Sequence, residues 1–224
     1  MRYDPAIHHR CSIRLAGYDY SLAEAYFLTI VSQNRVCRFG KIVDGEIELN
    51  DAGRMIDTEW NRLPNRFQNL RLGEYIIMPN HIHGILILVA PDDICDVGAT
   101  LVVAHEPVAP GAFASDVLPL PPDAADYDEI RAGTRPAPAS APKSVALGEI
   151  IGAFKSITTH AYILGVRQFG WPAFDGRLWQ RNYYEHIIRN GADYDHIQDY
   201  ILGNPAYWRE DQLHPDAAPN CFNP

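Results

Sequence analysis

Apolar residues along the chain fall into strand-like and helix-like runs. Residues 25–32 (AYFLTIVS) are rich in β-formers and predict a strand. A small hairpin follows, in which Asp44-Gly45 supplies the positive-φ turn between FGKIV and EIELN. Asn50 then caps a helix whose apolar positions Met55, Ile56, Trp60 and Leu63 recur at threes and fours, limited by Pro64. Residues 70–78 and 81–89 are two apolar runs of strand length separated only by Pro79-Asn80, a tight antiparallel turn or sharp break. In the second run Ile85 and Ile87 share one face and Ile82, Leu86 and Leu88 the other, which predicts a central strand covered on both sides. Further on, 145–162 predicts a helix with Leu147, Ile150, Ile151, Phe154 and Ile157 as its stripe, 178–188 a last strand, and 192–202 a final helix with Gly203 near its end and Pro205 beyond. The order β, α, β, β, α, β, α, with the middle strands antiparallel, predicts an α+β fold: a ferredoxin-like antiparallel sheet with a C-terminal helix.

Composition breaks this pattern after Val89. Residues 91–143 hold nine of the 17 prolines, many alanines and no sustained period, and read as a flexible acidic insertion with one short apolar stretch, 99–104, able to form a local strand. The break changes the meaning of the charge. The chain carries a net −9, which taken whole argues against a polyanionic partner. The insertion's nine acidic and three basic residues account for −6, so the remainder is only −3 and the objection weakens. The four cysteines are widely spaced, without a CxxC or zinc-finger pattern, so neither a disulfide framework nor a structural zinc site is indicated. No run reaches 18 apolar residues and no signal peptide is visible, so the expected location is the cytoplasm, with no membrane partner.

Two groups of residues could carry chemistry. In PNHIHG, His81 and His83 stand at i and i+2 of a strand, so both rings project from one face about 7 Å apart and could grip one divalent metal. Taken alone, that spacing is also met by two structural histidines. In DHIQDYILGNPAYW a helix over 192–203 puts His196, Tyr200 and Asn204 on one face up to its end. A tyrosine there is ordinarily a packing residue. Beside a metal, its phenolate could instead attack phosphorus, with an asparagine amide completing the ligand set.

The segments YFLTIVSQNR, CRFGKIVDGEIELNDAG, EYIIMPNHIHGILIL, LGEIIGAFKSITTHAY, LWQRNYYEHIIRN and DYILGNPAYW, in this order, resemble the REP-associated tyrosine transposases, a branch of the HUH single-tyrosine transposases. The resemblance covers about 10–90 and 144–208. It implies one HUH endonuclease domain interrupted by the 91–143 insertion and followed by a tail, 209–224. Residue by residue, it implies that His81 and His83 are the metal-binding pair, that Tyr200 is the nucleophile, and that Asn204 is the third, amide-bearing ligand. It also implies Mg²⁺ or Mn²⁺ as cofactor, and single-stranded or hairpin DNA with REP-like palindromes as partner. The enzyme would act as a monomer or a homodimer, cleaving and rejoining strands through a 5′-phosphotyrosine.

Competing residues sit close by. Tyr183 and Tyr184 alternate on a strand, so at most one faces the metal. His186 and His196 are possible substitute ligands or proton carriers, though a polar strand end and a solvated helix face explain both better. Glu185 and Asp199 read as surface carboxylates. For DNA, Lys155, Arg181, Arg189 and Arg14, with Arg10, are candidate phosphate contacts, and Trp179, Tyr183 or Trp208 candidate stacking platforms. Two rival functions share the motifs: a catalytically silent hairpin-DNA-binding regulator, and a metal-dependent phosphodiester hydrolase in which water attacks and Tyr200 is structural.

Overall fold

The computed structural model describes residues 18–90 and 145–218. The 91–143 insertion with its expected strand at 99–104, and Arg10 and Arg14, lie outside the described residues. The elements are β1 (Ala25–Val31), β2 (Gly40–Val43), β3 (Glu46–Leu49), α1 (Asp51–Asn61), α2 (Leu63–Arg66), β4 (Leu70–Ile77), β5 (His81–Leu88), α3 (Leu147–Phe169), β6 (Tyr184–Ile188) and α4 (Gly191–Gly203). Two short 3₁₀ helices cover Gln33–Arg35 and Asn204–Glu210.

Four strands form one antiparallel sheet in the order β4-β5-β1-β6, and β2 and β3 pair as a separate hairpin. Through the larger sheet the chain runs β-α-β-β-α-β, as the periodicities predict. Local chemistry accounts for the boundaries. Asp44 and Gly45, both at positive φ (52° and 83°), make the hairpin turn whose twist suits the flanking strands. The Asn50 side chain accepts from the Gly53 N–H at 2.9 Å and caps α1. Pro64 falls in the first turn of α2, where a missing N–H costs nothing.

The alternation along β1 and β5 divides the protein into two layers around the sheet. Tyr26, Leu28, Ile30, Ile82 and Leu86 point to the larger core, shared with Ile56 and Trp60 of α1 and Ile150, Ile151 and Phe154 of α3. Phe27, Ile85 and Ile188 point the other way and meet Ile197 and Ile201 of α4. β5 is therefore the doubly covered inner strand that its sequence predicts.

Two boundaries differ from the sequence reading. α3 continues past 162 to Phe169 and stops where Gly170 adopts φ 69°, the left-handed conformation that releases a helix end. The last strand spans only Tyr184–Ile188, not 178–188. Trp179 makes a single bridge to Ser32, and beyond it the Lys155 ammonium of α3 draws in the carbonyls of Gln180, Arg181 and Asn182 at 2.9, 3.4 and 3.0 Å. Pairing with the end of β1 is kept around that bridge, where Gln33 N–H donates to the Leu178 carbonyl at 2.8 Å and Gln180 N–H to the Val31 carbonyl at 2.9 Å, and it resumes only at Tyr184, after the stretch whose carbonyls turn to Lys155.

Candidate metal centre and its tyrosine

His81 and His83 lie on the face of β5 that looks toward α4, with ring centroids 4.4 Å apart. Both are buried, at 0% and 2% exposure. Each ring is fixed by a bond at Nδ1. His83 Nδ1 meets the hydroxyl of Thr29, its cross-strand partner on β1, at 2.9 Å, and Phe27 two residues earlier stacks on the same ring at 5.5 Å. His81 Nδ1 meets Asn80 Oδ1 at 2.8 Å. With Nδ1 occupied, Nε2 of each ring is the atom available to a ligand, an outer-shell arrangement typical of metal-binding histidines. Burial holds both imidazoles neutral: it pushes His81 well below the usual histidine range, helped by His83, and His83 down to about 3.

α4 delivers the tyrosine. Asn190 caps its start by accepting from Asp193 N at 2.9 Å, and Tyr194, Ile197 and Ile201 form the stripe that lies on the sheet. The seat is a bulge in β4 between Leu72 and Tyr75. A Cβ on Gly73 would come within 2.9 Å of both Ile85 Cβ and the Tyr194 hydroxyl, so only glycine leaves room for that contact. Gln198 adds a bond to Glu74 at 3.4 Å. One helical step from Ile201, the Tyr200 hydroxyl comes to 3.3 Å from His83 Nε2, its ring edge-on to Phe27 at 6.0 Å and nearly half exposed at 47%. Burial first, and then the charge of Asp211, push the phenol up to about 12, with the Asn204 amide opposing.

Asn204, buried at the end of α4, lies beside Tyr200 and Asp211. The third member of the histidine cluster, however, is Asp211. The chain leaves α4 through the 3₁₀ helix Asn204–Glu210 and turns back, so that Asp211 Oδ2 stands 3.7 Å from His81 Nε2. The ligating atoms of His81, His83 and Asp211 lie within 4.8 Å of one another. Burial raises the Asp211 carboxyl despite the bond it accepts from Leu213 N at 2.6 Å. His81 Nε2, Asp211 Oδ2 and Asn204 Oδ1 are all buried without a hydrogen-bond partner. Buried acceptors left unpaired are costly, and a cation among them removes the cost. Two neutral imidazoles and a carboxylate thus fit a divalent metal ion.

The cluster's third member is therefore a carboxylate that sequence reasoning left in the 209–224 segment, and the expected Asn204 amide lies beside it. The signal available was the run Asp211-Gln212-Leu213, an Asx turn in which an aspartate oxygen accepts from the backbone two residues on. Nothing local in that run says where the turn lands.

The other candidates divide sharply. Tyr183 and Tyr184 do alternate: Tyr183 is buried in the larger core under Lys155, whereas Tyr184 is exposed on the face of Phe27. Trp179, expected as a stacking platform, is instead a core residue, its indole bonded to Thr158. Trp208 is also buried, 6.0 Å from the His81 ring. Lys155 acts as the carbonyl clamp of the 180–182 segment. Arg181 and Arg189 are exposed, and Arg14 lies outside the described residues. His186 pairs with Asp193 at 3.0 Å, away from the cluster, and His196 is exposed. Asp199 is exposed as expected, whereas both carboxylate oxygens of Glu185 are buried.

A four-stranded antiparallel α+β protein with a His-His-Asp cluster beside a tyrosine is the class that these features define. No family model matches the chain. It is 34% identical over 219 residues to an uncharacterized protein of Haemophilus influenzae, an alignment covering 96% of this chain and 98% of that one, and it belongs to the same family. Among solved structures it is similar to a REP-associated tyrosine transposase bound to a REP hairpin, with TM-score 0.48 and 16% identity over 87% of this chain and 73% of that one. A candidate transposase of Deinococcus radiodurans is also similar, with TM-score 0.37 and 16% identity over 84% and 95% of the two chains. Among the described residues no helix is long and apolar enough to cross a membrane.

Proposed function

We propose that the protein is a metal-dependent single-strand DNA transposase of the HUH single-tyrosine type, which cleaves and rejoins hairpin-bearing DNA through Tyr200. One observation carries the reading: the phenol oxygen of a half-exposed tyrosine stands 3.3 Å from an imidazole nitrogen of a buried His-His-Asp cluster whose residues fit a cation. The motif order along the chain supports it independently.

His81, His83 and Asp211, with Asn204 adjacent, would hold Mg²⁺ or Mn²⁺; imidazole ligands favour Mn²⁺. Bound there, the ion supplies charge compensation for the non-bridging phosphate oxygens and for the phenolate. The remaining work falls to the chain. Tyr200 Oη forms a bond to phosphorus while the P–O3′ bond breaks, leaving a 5′-phosphotyrosyl link and a 3′-hydroxyl that takes up a proton. The same hydroxyl can later attack the link and restore the phosphodiester, so no nucleotide cofactor is needed. Neither imidazole is free to serve as the base, because each Nδ1 is held by Thr29 or Asn80 and each Nε2 would be taken by the cation. Phe27 and the α4 stripe limit the swing of that ring.

The test is incubation with hairpin-bearing single strands and Mn²⁺, resolved under denaturing conditions. A covalent protein–DNA adduct that requires the metal and is lost in Tyr200→Phe is expected. Cleavage without adduct would replace the reading by the metal-dependent hydrolase, and a gel shift without cleavage by the silent hairpin-binding regulator.

A further inference from the structure

We infer that Asn80 is the positioning residue of this cation site, setting the tautomer of His81 and the place of Asp211 through one amide. The inference rests on the metal-site part of the proposed function but not on its DNA chemistry. Asn80 is fully buried. Its Nδ2 donates to two backbone carbonyls, Arg35 O at 2.9 Å and Leu213 O at 2.8 Å, which uses both amide hydrogens. Oδ1 is thereby fixed as the atom facing His81 Nδ1 at 2.8 Å. An amide oxygen only accepts, so Nδ1 carries the proton and Nε2 presents its lone pair to the cluster. In the other tautomer two lone pairs would meet across 2.8 Å.

The second carbonyl held by Asn80 belongs to Leu213, whose own N–H is bonded to Asp211 Oδ1 at 2.6 Å. Asn80 thus grips the same peptide segment that orients the carboxylate. Arg35 reinforces it, its guanidinium donating to His214 O at 3.0 Å while its carbonyl accepts from Asn80. The residue next in sequence to the first histidine therefore joins two ligands 130 positions apart along the chain, Asp211 and His81.

The full-length protein, free of metal and labelled with ¹⁵N, tests this by long-range proton–nitrogen spectra of its histidine rings. His81 is expected as a single Nδ1–H tautomer; an Nε2–H ring in the wild-type protein overturns the inference whatever any variant does. Co²⁺ titration followed by its visible bands supplies the second readout. Asn80→Ala should mix the tautomers and weaken Co²⁺ binding about 10–100-fold. Asn80→Asp keeps an acceptor at Nδ1 and should retain the tautomer, yet it loses the bonds to both the Arg35 and Leu213 carbonyls and should bind Co²⁺ with altered bands. Unchanged tautomer and affinity in Asn80→Ala also overturn the inference. A wild-type protein that binds Co²⁺ with the expected tautomer but forms no DNA adduct would refute the transposase reading and leave Asn80's role standing.

Discussion

Replacing Asp211 by asparagine should make the metal-free protein more stable and the metal-loaded protein less so. In the tautomer that Asn80 imposes, His81 Nε2 and Asp211 Oδ2 are both acceptors, buried and facing each other at 3.7 Å without a donor between them. The amide introduced by Asp211→Asn would place an N–H in that gap, and its Oδ1 would keep the bond from Leu213 N. Satisfying buried acceptors of this kind is worth about 1–3 kcal/mol. For a domain of this size that raises Tm by roughly 2–12 °C. The wild type should recover the difference through binding, since metal at 100 times its Kd adds about 2.7 kcal/mol. Asp211→Asn should show little of that gain at the same concentration. Thermal unfolding of both proteins in EDTA and in rising Mn²⁺ is the assay, and the two stability curves should cross. A variant less stable than wild type in EDTA that keeps the full Mn²⁺ shift would refute the assignment of Asp211 as a ligand.

The depressed histidines give a pH dependence with a definite sign. Because His81 and His83 stay neutral in the folded protein far below their usual range, the unfolded chain binds their protons first, and stability present above about pH 6.5 is lost as pH falls toward the folded value, about 3 for His83. Urea midpoints in EDTA between pH 7 and 4.5 should show a slope of up to about 1.4 kcal/mol per pH unit for each histidine, with one share missing in His83→Gln; equal slopes would contradict the burial argument. The raised Asp211 carboxyl acts oppositely, losing stability as pH rises through its folded value, so the Asp211→Asn background gives the cleaner measurement. Lys155→Met should lower stability by about 1–3 kcal/mol, because the carbonyls of 180–182 lose their shared donor, and leave the salt dependence of DNA binding unchanged. Arg181→Ala should do the reverse, with the same Tm and a salt slope reduced by about one in filter-binding titrations; a Lys155 variant that changes the salt slope would return that residue to the DNA surface.

The contrast between Lys155 and Asp211 explains how far the chain can be read without its structure. Period-two and period-3.6 patterns report which side of an element faces apolar surroundings. They identify β5 as an inner strand and put His81 and His83 on one face. The helix over 192–202 was legible too, with His196, Tyr200 and Asn204 on one face, whereas the Ile197–Ile201 seam that turns Tyr200 toward His83 comes from the structure. Patterns say nothing about a polar group whose partner is backbone from a distant segment. Lys155 on a polar helix face looks the same whether it meets solvent, phosphate or three carbonyls, and those carbonyls lie in the irregular stretch between the Trp179 bridge and β6, inside the strand expected at 178–188. Trp179 misleads for a related reason: an aromatic beside arginines suits either a base or a core, and only the Thr158 hydroxyl waiting for its indole N–H decides.

Asp211 is the harder case because two independent segments must agree before it has a place. Its own turn is local, but the turn docks only where the Asn80 amide and the Arg35 guanidinium present donors to the carbonyls of Leu213 and His214. Arg35 in turn stands in a tight 3₁₀ turn with φ 54° directly after β1, a conformation set by the strand that ends there and not by any preference of arginine. The third member of the cluster is therefore specified by the sheet end, where β1 and the β4–β5 turn come together. That dependence carries a consequence for evolution within this family. A relative that keeps both histidines and the tyrosine but loses the amide at position 80 should lose its carboxylate ligand with it, and a substitution at 80 should be accompanied by change in 211–214 sooner than by change in the histidines.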